Sequence, residues 1–158
     1  MSLKQIGYYI RRPWDFIAGN IDALGFLSKA KDSKQKLKEA QQIINNCRDL
    51  SNWYRKEKIE YKSDKIDFRQ LAWVTIAKKC GDCEDFVELS KTILKNKFHL
   101  QEGYCEKIGG NGHAILSVRE SDDNWWLMSN HDAFGPFKTQ KEVALYTYKK
   151  ETGEWFFI

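Results

Sequence analysis

One stretch constrains this chain more than any other part of it, residues 79–89, which read KCGDCEDFVEL. Asp82 is a good helix N-cap, and Asp85 three residues later completes the pattern of a capping box. Apolar residues then recur at helical spacing. The stretch therefore predicts a tight turn that feeds a helix, with Cys83 in the first helical turn and on the buried face.

Cys83 sits at a position that can activate a thiol. A thiol at the N-terminus of a helix meets unpaired N–H groups and the positive end of the helix dipole. Both favour the thiolate, which is the reactive form. The neighbours Glu84 and Asp85 oppose this weakly, so a cationic histidine would have to supply the rest. Cys83 is therefore either a nucleophile or a small buried residue that begins a helix, because free cysteine is often simply buried.

Length and composition indicate one domain with a substantial core. The chain has 158 residues, of which 42% are hydrophobic and 30% are charged, as in ordinary soluble globular proteins. There is no apolar run of transmembrane length and no signal-peptide core at the N-terminus. We therefore expect a cytoplasmic protein without a membrane partner. Its four cysteines are then free thiols, ligands or catalysts rather than disulfides.

The charge is uneven along the chain. Residues 1–62 hold 13 Lys/Arg and 7 Asp/Glu, whereas residues 63–158 hold 13 and 15. A basic first third could meet an anionic partner, and solvated helix faces explain it equally well. We expect no nucleic acid partner, and the oligomeric state is left open.

Helical patterns come first along the chain and strand patterns second. Residues 33–50 have the clearest helical periodicity, residues 51–65 read as a loop or short extended piece, and a helix is predicted at 67–77. Later in the chain, short runs of strand-forming residues are separated by turn residues. They predict antiparallel strands, including strands at 143–148 and 155–158. This order predicts an α+β fold, with N-terminal helices packed on a C-terminal antiparallel β-sheet.

A cysteine nucleophile needs a base, and the base needs an orienting group. His113 begins a predicted strand directly after a glycine-rich turn, where a side chain can reach a groove. The other two histidines are less well placed, since His99 follows the cysteine helix in a polar loop and His131 follows a strand. His113 is therefore the candidate base.

The orienting group depends on the register of the hairpin around residues 120–123. A four-residue loop there places His113 opposite Asn130, about 5 Å away on the same face of the sheet. A five-residue loop instead opposes His113 to Ser129, and another four-residue register opposes it to Asp132. Asn130 is the expected partner, with Asp132 and Ser129 as alternatives.

Three strings together resemble a known family: GDCEDF at 81–86, GHA at 112–114, and the tryptophan-containing strand that ends at Asn130. They are similar to the transglutaminase-like superfamily of cysteine enzymes, and most of all to the bacterial transglutaminase-like cysteine proteinases. The likeness covers residues 53–137. It implies a single domain over residues 1–158 with a papain-like core, to which we add a helical N-terminal extension at 1–50 and a C-terminal hairpin at 138–158.

The resemblance also implies a mechanism. Cys83 would attack an amide carbonyl to form a thioester, and His113 would act as base and then as acid, with Asn130 or an Asp completing the triad. The backbone N–H of Cys83 would help form an oxyanion hole, which Trp73 would border. The substrate would be a protein or peptide, with no cofactor and no metal. The family usually ends the third strand in Asp, where this chain has Ser129.

We therefore expect a thiol hydrolase or acyltransferase that acts on amide bonds, and three other functions compete with it. One is a catalytically degenerate interaction domain of the same fold. Another is a zinc module, because the spacing of Cys80 and Cys83 is that of a zinc knuckle, and Cys105 and His113 could complete a tetrahedron. The last is a redox pair of the first two cysteines, which lacks the usual βαβ context.

Overall fold

The computed structural model describes residues 21, 23–63, 69–106, 112–150 and 154–157. The α-helices are α1 (Ala30–Ile43), α2 (Cys47–Lys56), α3 (Ala72–Lys78), α4 (Cys83–Leu94) and α5 (Gln140–Lys150). The strands are β1 (Glu60–Tyr61), β2 (Cys80–Gly81), β3 (His99–Glu106), β4 (His113–Arg119), β5 (Trp125–Ser129), β6 (Asp132–Phe137) and β7 (Glu154–Phe157). Of the helices described, none has the length and apolar character needed to span a bilayer.

The larger sheet has five strands in the order β6-β5-β4-β3-β7, and every neighbouring pair in it is antiparallel. The short strands β1 and β2 pair in parallel, and β2 lies directly before the cysteine helix α4. Within the described residues, four α-helices precede the larger sheet, which confirms the predicted α+β class and the order of helices before strands.

The two faces of the sheet carry different helices. Alternate residues of β4 belong to the main core together with the apolar side of α4, among them Ala114, Leu116 and Val118. On the opposite face, Ile115 of β4 packs in a second cluster with Val143 of α5. The cysteine helix therefore lies on one face of the sheet, and the C-terminal helix lies on the other.

The predicted helix at 33–50 is in fact two helices. α1 ends at Ile43, and α2 begins at Cys47 with Asn46 as its N-cap, whose side-chain oxygen accepts the Asp49 N–H at 2.8 Å. α2 then continues through residues predicted to be a loop, because its own buried stripe, which includes Tyr54, packs in the core. The helix predicted at 67–77 begins only at 72, and the predicted elements within residues 1–20 lie outside the described residues.

The strand predicted at 143–148 is wrong, because these residues belong to α5. Val143 and Tyr146, three residues apart, both face the second cluster, as helical spacing requires. Thr139 precedes the helix and its hydroxyl accepts the Glu142 N–H at 3.2 Å. The predicted hairpin at 138–158 is therefore a helix followed by β7, and β7 pairs with β3.

Candidate active site

Cys83 is the first residue of α4, and the predicted capping box is present around it. Asp82 Oδ1 accepts the N–H groups of Glu84 at 3.0 Å and Asp85 at 3.2 Å, and the Asp85 carboxylate accepts the Asp82 N–H at 3.0 Å. These bonds hold the first helical turn in one conformation. Cys83 is 8% exposed, so its thiol is nearly buried at the positive end of the helix.

Asp85 is a fully buried carboxylate two residues beyond the cysteine. Besides the Asp82 N–H it accepts the backbone N–H of Gln70 at 2.6 Å and a hydrogen bond from the Gln70 side-chain amide. Burial raises the pKa of Asp85, the charge of Asp82 raises it as well, and the hydrogen bonds lower it in part, which leaves a pKa of about 7. Close to neutral pH this carboxyl group is therefore divided between its charged and neutral forms.

His113 is the first residue of β4, and its Nε2 lies 2.8 Å from Ser129 Oγ at the end of β5. The β4–β5 ladder pairs Arg119 with Trp125, so residues 120–124 form a five-residue loop and the ladder is shifted by one residue from the expected register. The expected pairing of His113 with Asn130 is therefore wrong. The observed register, extended to His113, opposes it to His131, and the hydrogen bond with Ser129 is a diagonal contact two residues away.

Neither of the other two candidates for the third residue bonds to His113. Asn130 lies in the β5–β6 turn with a φ of 52°, and its Oδ1 is buried with no hydrogen-bond partner. The Asp132 carboxylate accepts a hydrogen bond from Arg55 Nη2 at 2.6 Å and lies 3.7 Å from Nε2 of its neighbour His131. Asp132 therefore links the β5–β6 turn to α2 through Arg55.

The first turn of α4 and the β5–β6 turn lie at the same end of the sheet. The ring of Phe86, one turn after Cys83, is 6.1 Å from the ring of His131, measured between centroids. Ser51 of α2 donates to the His131 carbonyl at 2.8 Å and holds this turn from the other side. Ser129 is two residues before His131, so the bonded pair of His113 and Ser129 lies next to this turn. By the alternation of β4, His113 falls on the face of Ile115, whereas α4 packs against the face of Ala114 and Leu116, so a contact between His113 and Cys83 stays a prediction.

Trp73 lies on α3, where Lys34 of α1 places its ammonium group 5.3 Å from the centroid of the indole ring. Trp73 is half-buried, and this cation–π contact covers one side of its ring. The participation of Trp73 and of the Cys83 backbone N–H in an oxyanion hole stays a prediction.

Of the three cysteines in the proposed zinc site, the structure describes the side chains of Cys80 and Cys83. Cys80 and Cys83 are both free thiols. In the part of the chain that the structure describes, no three His, Cys, Asp or Glu side chains form a group that could hold a metal ion. Cys105 pairs with His113 across β3 and β4, and its side chain lies outside that description.

Sequence reasoning missed Gln70, which is 1% exposed and donates twice to Asp85. No local pattern marks this glutamine, because its partner is fifteen residues away and the contact exists only in the folded chain. The partner of His113 did leave a signal, since the resemblance already aligned Ser129 with the family's usual Asp.

Neither the family models nor the curated proteins include a match to this chain. The resemblance to the transglutaminase-like superfamily therefore rests on the three short strings alone.

Proposed function

We propose that this protein is a thiol hydrolase or acyltransferase that acts on amide bonds, with Cys83 as nucleophile, His113 as base and Ser129 as orienting group. The observation that carries the proposal is the 2.8 Å contact between His113 Nε2 and Ser129 Oγ, together with the position of Cys83 as the first residue of α4. Nucleophilic catalysis requires a cysteine within reach of a histidine that a second side chain holds, and in this proposal His113 reaches Cys83.

The contact with Ser129 assigns separate tasks to the two ring nitrogens of His113. In the tautomer with a proton on Nε2, this N–H donates to the serine hydroxyl and Nδ1 is the basic nitrogen. Nδ1 takes the proton of the Cys83 thiol while the sulfur attacks the amide carbonyl carbon. The imidazolium then protonates the leaving amine as the C–N bond breaks, which leaves a thioester on Cys83.

The second half of the reaction reverses these proton movements. Nδ1 removes a proton from water or from an acceptor amine, whose oxygen or nitrogen attacks the thioester carbonyl. The imidazolium returns that proton to the departing sulfur, and the free thiol is restored. The choice between water and amine decides between hydrolysis and acyl transfer.

A catalytically degenerate binding domain is the second candidate, and the identity of Ser129 favours it. A neutral hydroxyl orients the imidazole but stabilises its charged form less than a carboxylate does. A relative that had lost this carboxylate would keep the fold and the groove while turning over slowly or not at all.

The deciding experiment uses a library of blocked peptides with hydroxylamine as a nucleophilic trap and mass spectrometry as the readout. A thioester intermediate gives peptide hydroxamates, and hydrolysis gives free acids. We expect both products from the parent protein and neither from Cys83→Ala or His113→Ala, whereas the matched control Cys80→Ala keeps the activity. Equal product formation by Cys83→Ala would refute the nucleophile, and peptide retention without products would support the binding domain.

A further inference from the structure

The buried carboxylate of Asp85 joins three segments of the chain directly around the nucleophile. Its oxygens accept from the backbone and side chain of Gln70, which precedes α3, and from the N–H of Asp82, which caps α4. Asp85 itself belongs to the first turn of α4. The position of the turn before Cys83 is therefore set by a side chain that is not part of the proposed Cys–His–Ser triad.

The packing at Gly81 shows how closely this carboxylate is fitted. A Cβ atom on Gly81 would lie 2.6 Å from Asp85 Cβ and 2.9 Å from its Oδ2, both shorter than real carbon contacts. The backbone of β2 and the Asp85 side chain are thus in contact with no room for a methyl group. Any change in the position of Asp85 must move the backbone two residues before the nucleophile.

Gln70 is oriented toward this carboxylate at a cost. Its side-chain oxygen is buried and has no hydrogen-bond partner, while its side-chain nitrogen donates to Asp85. A buried acceptor without a hydrogen-bond partner destabilises the fold. The Gln70 side chain nevertheless has the orientation in which its nitrogen donates to Asp85. The two residues form a unit in which a neutral amide holds a carboxylate in place.

We propose that Asp85, held by Gln70, is a positioning residue for Cys83. It keeps the preceding turn in the one conformation that presents the cysteine sulfur and backbone N–H to the same carbonyl. The inference rests on the proposed function, and it assigns a role to a residue that does not touch the substrate. A displacement of about 1 Å at a reacting group can cost a hundredfold in rate, so a small shift of the turn is sufficient to be measured.

The test compares alkylation of individual cysteines by iodoacetamide in the folded protein, measured by peptide mass spectrometry. Cys80 is half-buried and serves as an internal reference, and Cys47 is fully buried and reports unfolding, since burial also raises the pKa of its thiol. In Asp85→Asn the new amide nitrogen faces donor N–H groups, which disrupts the cap without changing the volume. We expect the rate at Cys83 relative to Cys80 to fall about tenfold while Cys47 stays protected.

Two further variants make the result decisive. Tyr54→Phe removes another buried hydrogen bond to α4, the 2.7 Å contact with Ser90, and should leave the ratio unchanged. Gln70→Met removes only the side-chain donor and should lower the ratio in the same direction as Asp85→Asn but less. It decides the question if Asp85→Asn does not fold.

A purely structural role for Asp85 predicts the opposite direction, because local opening would make Cys83 and Cys47 react faster together. That result, or an unchanged ratio in folded Asp85→Asn and Gln70→Met, would overturn the positioning role while the parent still shows a reactive Cys83. If the parent itself shows no excess reactivity at Cys83, the proposed function and this inference are overturned together.

Discussion

His113 Nε2 lies 2.8 Å from Ser129 Oγ, so the imidazole at the end of β4 is oriented by a neutral hydroxyl. A hydroxyl can accept the Nε2–H and hold the ring, but it adds no charge to stabilise an imidazolium. The chemistry at this site should therefore respond to the charge placed at residue 129.

Replacing Ser129 should change the reactivity of Cys83 in both directions. Ser129→Ala removes the hydrogen bond and should lower the rate about tenfold, since hydrogen bonds to charged groups are worth about 1.5–3 kcal/mol. Ser129→Asp supplies a carboxylate and should raise the rate. The measurement is the second-order rate constant for Cys83 with a peptide vinyl sulfone at neutral pH.

The matched control for these variants is Asn130→Gly. It removes an amide whose oxygen has no hydrogen-bond partner, and glycine accepts the φ of 52° at this position without strain. The rate should stay at the parent value. A loss in Asn130→Gly that exceeds the loss in Ser129→Ala would return the orienting role to Asn130.

Asp85 should make the protein less stable as the pH rises from about 4 to about 7. Its pKa in the folded state is about 7, above the ordinary value of 3.8, so the folded state holds the proton more tightly than the unfolded state. The stabilisation is complete below the unfolded pKa and is lost as the pH rises through the folded pKa, at up to about 1.4 kcal/mol per pH unit. Urea unfolding of the parent and of Asp85→Asn across this range measures it.

The difference between those two stability curves isolates the contribution of Asp85 from every other titrating group. The parent should lose stability relative to Asp85→Asn toward neutral pH. Parallel curves for the two proteins would show that the carboxyl group titrates normally in the fold.

Gly81→Ala should destabilise the protein by about 2 kcal/mol, because the added methyl group meets the buried Asp85 side chain in a region that cannot expand. The contact would be 2.6 Å to Asp85 Cβ. Urea unfolding gives the value, and Lys95→Ala at an exposed position beyond α4 should change it by less than about 0.5 kcal/mol. Equal effects of the two substitutions would mean that the backbone of β2 yields easily.

A buried ion pair and an exposed one should contribute differently to the free energy of unfolding. Glu102 is 4% exposed and binds Arg69 as well as Lys91, the latter at 3.0 Å, whereas the pair of Asp132 and Arg55 is exposed. Glu102→Gln removes a carboxylate next to Arg69, which is 12% exposed and also pairs with Glu88 at 3.7 Å, and should cost about 3 kcal/mol. Asp132→Asn should cost less than about 1 kcal/mol. Thermal or urea unfolding compares them, and similar costs would contradict the assigned burial.

The sequence predicted the local structure around Cys83 well, because a capping box is a short-range pattern. Asp82 and Asp85 are three residues apart, and their reciprocal bonds involve only the first helical turn. The burial of the cysteine face followed from helical periodicity in the same way. Both features depend on residues within one or two turns of each other.

The long-range features could not be read in the same way. One residue more in the loop at 120–124 shifted the register away from Asn130, and the contact of His113 with Ser129 is a diagonal one that the hairpin register does not predict. The aromatic and β-branched run of α5 predicts a strand, but it forms a helix because tertiary packing against Leu127 and Phe134 overrides local propensity there. The bond between Gln70 and Asp85 likewise arises only when α3 and α4 pack together.

The most direct test of the central claim is the relative rate at which iodoacetamide alkylates Cys83 and Cys80 in the folded parent protein. By exposure alone, half-buried Cys80 should react before Cys83, which is 8% exposed. Activation by His113 and the helix N-terminus predicts that Cys83 reacts at least about tenfold faster than Cys80, and that His113→Ala removes this advantage. If labelling instead follows exposure, with Cys80 first and no effect of His113→Ala, Cys83 is a buried structural thiol and the proposed chemistry is wrong.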